Sequence, residues 1–100
     1  MAIPVMSMAE LGEGESACVR LQGMEVLVSH VEGQFYAVHA QCSHAAQSLV
    51  HGKIRGTQIS CPLHGARFDL RTGACVKGPA QAPIASFPVY IEGGKVCVDV

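Results

Sequence analysis

Two short strings near the middle of the chain combine residue types that hold metals. They are Cys42-Ser43-His44 and, sixteen residues later, Cys61-Pro62-Leu63-His64-Gly65. Each pairs one thiolate donor with one imidazole donor. In an extended Cys-x-His, residues two apart point to the same side, and a proline-bearing turn lets residues three apart converge as well. Two such loops facing each other present two sulfurs and two nitrogens to one centre. A structural zinc accepts that set tetrahedrally, but its common spacing groups the cysteines together and the histidines together. The interleaved order here suits a two-iron cluster, with both thiolates on one iron and both imidazoles on the other. A blue-copper site takes two histidines and one cysteine, leaving the second cysteine without a role. The plain alternative is unrelated buried cysteines and surface histidines, and the paired spacing with flanking glycine weighs against it. A nucleophile at Cys61 with His64 lacks an orienting acid and, in so small a chain, a substrate pocket.

Holding such loops is the task of the remaining residues, which are rich in strand-like composition. Segments 17–21, 25–29, 34–39 and 95–100 are punctuated by Gln22-Gly23, Glu32-Gly33 and Gly93-Gly94, with a further turn at Thr72-Gly73. Glycine accepts positive φ without steric cost, which suits tight hairpins. At the C-terminal end Val96, Val98 and Val100 alternate with Lys95, Cys97 and Asp99, the period of a half-buried strand. Residues 84–91 predict another strand, confined to an edge or a bend by Pro83 and Pro88. Ser7 predicts the cap of a helical turn over 8–11. From about His39 to Pro83 the pattern loosens into Gly- and Pro-rich loops, and a small chain spends such length on loops for function. The expectation is a nearly all-β chain of short antiparallel strands.

One hundred residues make one compact domain, 1–100, with a modest core. An apolar fraction of 49% with 15% charged residues excludes disorder. A net charge of −1 without a basic stripe gives no footprint for nucleic acid. The apolar runs are too short to cross a bilayer, and no basic segment followed by a long apolar stretch marks a secretory leader. The expected compartment is the cytoplasm, where thiols stay reduced. The odd set of five cysteines (18, 42, 61, 75 and 97) then reads as metal ligands plus buried thiols.

Cys42-x-His44 followed by Cys61-Pro62-Leu63-His64-Gly65 resembles the Rieske iron–sulfur motif. The longer string from Cys61 through Ala66-Arg67-Phe68-Asp69 resembles the ferredoxins of bacterial aromatic-ring-hydroxylating dioxygenase systems. The resemblance implies a fold of three antiparallel sheets with a small loop-rich cluster-binding subdomain, here over about 40–82. It implies one [2Fe–2S] cluster held by Cys42, His44, Cys61 and His64, and a shielding proline-bearing loop matched by Gly78-Pro79-Ala80. It further implies a non-enzymatic electron carrier, fed by an NAD(P)H-dependent flavoprotein ferredoxin reductase and discharging to a terminal oxygenase. Such a carrier is monomeric and binds neither nucleic acid nor membrane. Respiratory members of the family carry an extra disulfide-forming cysteine in each loop, where this chain has Gln47 and Leu63. They also carry serine and tyrosine hydroxyl donors, where this chain has Ala66 and Phe68. Hydrogen bonds to sulfur stabilise the reduced cluster, so their loss implies a low potential. Two rival readings are a small Rieske subunit of an assimilatory nitrite reductase and a zinc-stabilised binding module.

Other candidates have plainer roles. His30, His39 and His51 lie outside the motif, and His51 reads as a solvated loop residue. Cys18, Cys75 and Cys97 sit in strand-like segments and read as small buried side chains. Arg67 and Asp69 read as a structural ion pair, with contact to a partner as the alternative. Ala45, Ala46, Leu63 and Pro79 would form an apolar rim around the histidine ligands, a small docking face suited to a shuttle. The glutamates Glu10, Glu13, Glu15, Glu25 and Glu32 read as solvated surface charge, with steering toward basic patches as the alternative.

Overall fold

Three two-residue turns organise the longer hairpins, each with positive φ at both positions. They are Gln22-Gly23 (50° and 81°), Glu32-Gly33 (53° and 77°) and Gly93-Gly94 (57° and 77°). Mirror-image turns of this kind match the right-handed twist of paired strands. The computed structural model describes residues 2–41, 48–61, 66–77 and 83–100, including the backbone but not the side chains of His51 and Lys77.

Among the described residues the strands are β1 (Ala2–Ser7), β2 (Ser16–Leu21), β3 (Met24–Val31), β4 (Gln34–His39), β5 (Ile54–Arg55) and β6 (Gln58–Ser60). They continue with β7 (Arg67–Asp69), β8 (Cys75–Lys77), β9 (Ser86–Phe87), β10 (Val89–Glu92) and β11 (Lys95–Asp99). They form three antiparallel sheets in the orders β1-β11-β10, β2-β3-β4-β9 and β5-β6-β7-β8. The expected all-β, three-sheet architecture is therefore present. Helical geometry among the described residues is limited to single turns at Met8–Glu10 and Leu49–His51, and no helix is long and apolar enough to cross a membrane. The first turn has the expected cap: the Ser7 hydroxyl accepts from Ala9 N–H, and the Glu10 carboxylate accepts from Ser7 N–H at 2.6 Å.

The β3–β4 hairpin is a wall between two cores. Val26, Val28, Phe35 and Ala37 point into one core, shared with Val96 and Val98 of β11. Leu27, Val31, Val38 and Ala40 point into the other, shared with Ile59, Phe68 and Leu70 of the third sheet and its turns. Strict alternation across the pleat sends neighbours to opposite faces, and here both faces are covered. That explains the unbroken apolar run Val26-Leu27-Val28. The one buried polar side chain of this hairpin, Ser29, meets the Ser16 hydroxyl at 2.8 Å.

Four details differ from the sequence reading. The strand β1 has no counterpart there; it tolerates Pro4 because it is an edge strand with a register shift between Pro4 and Met6. The middle of the chain is more than loops, since β5 to β8 form a sheet of their own. β11 is central in its sheet, so the strand expected to be half-buried is covered on both faces at Val96, Cys97 and Val98, and Cys97 is the buried thiol the sequence suggests. Pro88 splits 84–91 in two, and the chain passes there from the β4 edge to the β11 edge, which satisfies both the edge and the bend reading.

Candidate metal centre

Each of the three candidate loops begins and ends at a hydrogen-bonded neck. After β4, Ala40 N–H donates to the Glu25 carbonyl at 2.9 Å, and Leu49 N–H returns to the Ala40 carbonyl at 2.6 Å. Gln41 and Ser48 then form an isolated antiparallel bridge, closing off residues 42–47. The Ser48 hydroxyl caps the following turn by accepting from Val50 N–H at 3.2 Å. Gly52 ends that turn where no side chain fits, because an added Cβ would run into the Ser60 carbonyl oxygen.

The second neck is Cys61 N–H donating to the Ala66 carbonyl at 2.6 Å, next to the Ser60–Arg67 pair of the β6–β7 ladder. It encloses residues 62–65. The third loop leaves from β8, whose Lys77 pairs with Arg67. The chain is anchored again where Ile84 N–H donates to the Gly73 carbonyl at 2.8 Å. Gly73 has φ +80°, and a Cβ there would strike the Ile84 carbonyl oxygen, so both conformation and space require glycine.

These necks stand on one core. Ala40, Leu49, Cys61, Ala66 and Ile84 all belong to the cluster built on Leu27, Val38, Ile59, Phe68 and Leu70. Cys61, at 2% exposure, carries a free thiol at the mouth of the second loop. Of the four expected ligands it alone is among the described residues; Cys42, His44 and His64 lie outside them, as do Gln47, the rim residues Ala45, Ala46 and Leu63, and Gly78-Pro79-Ala80. No group of three or more His, Cys, Asp or Glu suited to a metal ion occurs among the described residues. What the structure does supply fits a thiolate-bound centre. The Cys61 thiol is buried and free of any disulfide, and the nearby Ala66 and Phe68 are fully buried apolar side chains.

The remaining candidates separate from this site. His30 is half-buried, stacked on Phe35 with ring centroids 4.2 Å apart, and its Nδ1 lies 2.9 Å from the Leu11 carbonyl. That is a structural histidine. His39 is half-buried at the end of β4, its N–H donating to the Ala85 carbonyl at 2.8 Å; the side chain of His51 is outside the described set. Cys18 is exposed on β2, not buried, because its position faces away from the core. Partial desolvation, and then Glu25, hold its thiol above the ordinary range. Cys75 packs at the margin of the core beneath the necks.

Asp69 does not pair with Arg67. It takes Arg71 instead, with Nε at 3.1 Å on Oδ1 and Nη2 at 2.9 Å on Oδ2, while Arg71 N–H also donates to Oδ1 at 2.8 Å. The turn after β7 swings Arg71 back over the carboxylate, whereas the Arg67 side chain lines a cleft. That cleft also takes in Lys53 and Arg55, two residues to which the sequence reading gives no role. The available signal is the crowding of cations between 53 and 77.

Comparison with known proteins agrees with this geometry. The family model described as Rieske [2Fe–2S] domain matches residues 1–88. The ferredoxin component of the naphthalene 1,2-dioxygenase system of Pseudomonas aeruginosa is 37% identical over 98 residues, 98% of this chain and 94% of that one. The ferredoxin of carbazole 1,9a-dioxygenase from Nocardioides aromaticivorans IC177 matches with a TM-score of 0.94 at 32% identity, covering 98% of this chain and 96% of that chain. A chain in a complex of reduced oxygenase and oxidized ferredoxin in carbazole 1,9a-dioxygenase matches with a TM-score of 0.92 and 32% identity, over 97% of this chain and 91% of that one.

Proposed function

The chain belongs to the Rieske [2Fe–2S] domain family, and from that premise we propose that it is the ferredoxin of an aromatic-ring-hydroxylating dioxygenase system. It carries one Rieske-type [2Fe–2S] cluster and moves single electrons; it is an electron-transfer component and not the catalyst. The observation that carries this reading is the convergence of the loop necks on one core, with the buried thiol of Cys61 at the mouth of the second. The electron leaves for a terminal oxygenase, by analogy with the oxygenase–ferredoxin complex among its structural neighbours. It arrives from an NAD(P)H-dependent flavoprotein reductase. The whole of 1–100 acts as one domain with its cluster-binding subdomain over about 40–82, as a monomer in the cytoplasm. The free thiols of Cys18 and Cys97 suit a reducing compartment.

In this reading Cys42 and Cys61 hold one iron as thiolates, and His44 and His64 hold the other through imidazole. When bound, the cluster supplies a site that takes up and releases one electron at a time. The protein's part is to keep that site dry and its potential low. Ala66 and Phe68 exclude water and offer no hydroxyl to sulfur, so the potential lies toward the bottom of the roughly −150 to +300 mV Rieske range. An electron at such a potential can pass from a reduced flavin to an oxygenase.

The test is assembly. Purified protein should contain two irons and two acid-labile sulfides per chain, with a Rieske visible spectrum. Cys61→Ser and His64→Ala should each abolish that spectrum. Either variant retaining it intact overturns the ligand assignment, and zinc in place of iron overturns the cofactor.

A further inference from the structure

A cleft of about 270 Å³ opens at the root of the second loop, lined by Lys53, Arg55, Gln58, Ile59, Ser60 and Arg67. Ser60 directly precedes Cys61 and faces Arg67 across the β6–β7 ladder, so the cleft and the loop share one neck. Lys53 and Arg55 are exposed and Arg67 half-exposed. None of the three has a carboxylate partner among the described residues. All eight Asp and Glu are in that set, and the ion pairs there join Arg20 to Glu25, His30 to Glu13 and Arg71 to Asp69.

The cations of the cleft belong to a segment whose charge differs from that of the rest of the chain. Residues 40–82 hold five of the seven Lys and Arg against Asp69 alone, a formal charge of +4; the rest holds Arg20 and Lys95 against six glutamates and Asp99, a formal −5. An oxidised [2Fe–2S] centre with two thiolates is neutral, and one electron adds a single negative charge, so the sign of this segment survives loading and reduction. With a Debye length of about 8 Å at physiological ionic strength, a partner arriving at the loops responds to these nearby cations, not to the net charge of the chain. The same point favours the plainer reading of the glutamates, solvated surface charge, over steering toward basic patches.

We propose that the face formed by Lys53, Arg55 and Arg67 is a docking surface for a carboxylate-rich face on a protein redox partner. This rests on the electron-carrier reading. The three cations break no internal ion pair on meeting a partner's carboxylates, whereas Arg71 would have to give up Asp69. Their place at the loop neck sets the approach so that the partner arrives beside the ligand loops, and screened charge–charge attraction permits release after transfer.

The test is stopped-flow oxidation of the reduced holoprotein by hexacyanoferrate(III), a trianion, and by hexaamminecobalt(III), a trication. In each case one electron leaves the reduced centre and takes the probe metal from the trivalent to the divalent state. As ionic strength rises from about 10 to about 300 mM, the rate constant with the anion should fall about tenfold while that with the cation rises. Lys53→Glu with Arg55→Glu should flatten or reverse the anion's slope. Arg20→Glu, which changes net charge as much as Lys53→Glu alone, should leave it as in the parent.

Poly-L-glutamate, standing in for a carboxylate-rich face, should slow the hexacyanoferrate reaction of the parent but not of the double variant. An anion rate that is flat or rises with salt overturns the proposal, as does a parent protein indifferent to poly-L-glutamate. Saturable micromolar binding of inorganic phosphate that is lost in the double variant makes the cleft a small-anion site, and also overturns it. A preparation without visible absorption fails the electron-carrier reading and this proposal with it; a coloured one with the wrong salt slope fails this proposal alone.

Discussion

The β3–β4 wall and the β5–β8 sheet share a core yet are held in different ways. The wall has strands of eight and six residues joined by a two-residue turn, and six consecutive register pairs run between them. The strands of the other sheet have two or three residues each. Its order comes from necks closed by single bonds and from apolar side chains below them. A long ladder gives the frame many paired backbone groups of its own, whereas the short sheet depends on the frame's second face. That division places the loop necks on a firm base.

The largest test of this division is Phe68→Ala. Deleting a fully buried aromatic side chain at the base of the loops should cost about 3–5 kcal/mol, a large share of the roughly 5–15 kcal/mol that a domain possesses. Val96→Ala, in the core on the other side of the wall, should cost at least about 1.6 kcal/mol from two lost carbons. Thermal melts followed by circular dichroism and by visible absorption should diverge for Phe68→Ala, with colour lost first, and coincide for Val96→Ala. Equal behaviour of the two variants would mean that the loop region is held no differently from the core on the other side of the wall. Gly73→Ala comes next, at about 1–3 kcal/mol from positive φ alone, with the Ile84 carbonyl in the way as well. Because Gly73 anchors the return of the third loop, the variant should release iron at a denaturant concentration that leaves the strand signal unchanged.

What the sequence reveals follows the same division. Glycine pairs mark the hairpin turns, and the long strands β3 and β4 show themselves through continuous apolar runs. A two-residue strand such as Ile54–Arg55 cannot display a period, and Ser60 meets Arg67 only once the loop between them has closed. Alternation in one strand does not say whether its second face is covered, which is why β11 reads as half-buried although Val96, Cys97 and Val98 are all buried. Strand spacing suggests Arg67 as the partner of Asp69, but the turn brings both the guanidinium and the N–H of Arg71 to that carboxylate. The metal motif is legible because thiol and imidazole types carry it without any geometry. The cationic cleft is not, since it depends on β5, β6 and β7 lying side by side.

A smaller effect tests the low potential expected of the site. Ala66→Ser puts a hydroxyl at the second neck, where the side chain is fully buried and the backbone carbonyl already accepts from Cys61 N–H. A hydrogen bond to a charged acceptor is worth about 1.5–3 kcal/mol, and only the part that differs between oxidation states moves the potential. The expected shift is upward, by tens of millivolts, in a spectroelectrochemical titration. A downward or absent shift would mean that the introduced hydroxyl does not face sulfur, and the account of Ala66 would fall.

The smallest effects are acid titrations, one in each region. Two N–H donors of the β3–β4 turn, Glu32 at 2.6 Å and Gly33 at 3.1 Å, hold the Glu13 carboxyl below its usual range. In the other region the Arg71 guanidinium, and then its N–H, do the same for Asp69. Both pKa values are depressed on folding, so each group adds stability that is complete above the ordinary carboxylate range of about 3.9–4.3 and is lost as pH falls below it through the folded value. Stability should therefore hold from neutral pH to about 4.3 as far as these two groups are concerned, and decline only below. Carbon-detected NMR of the two carboxyls should show both titrating low. Arg71→Met should lift Asp69 toward its ordinary value and leave Glu13 in place. Should Glu13 move as well, the turns of the two regions are coupled, and the wall does not insulate one from the other.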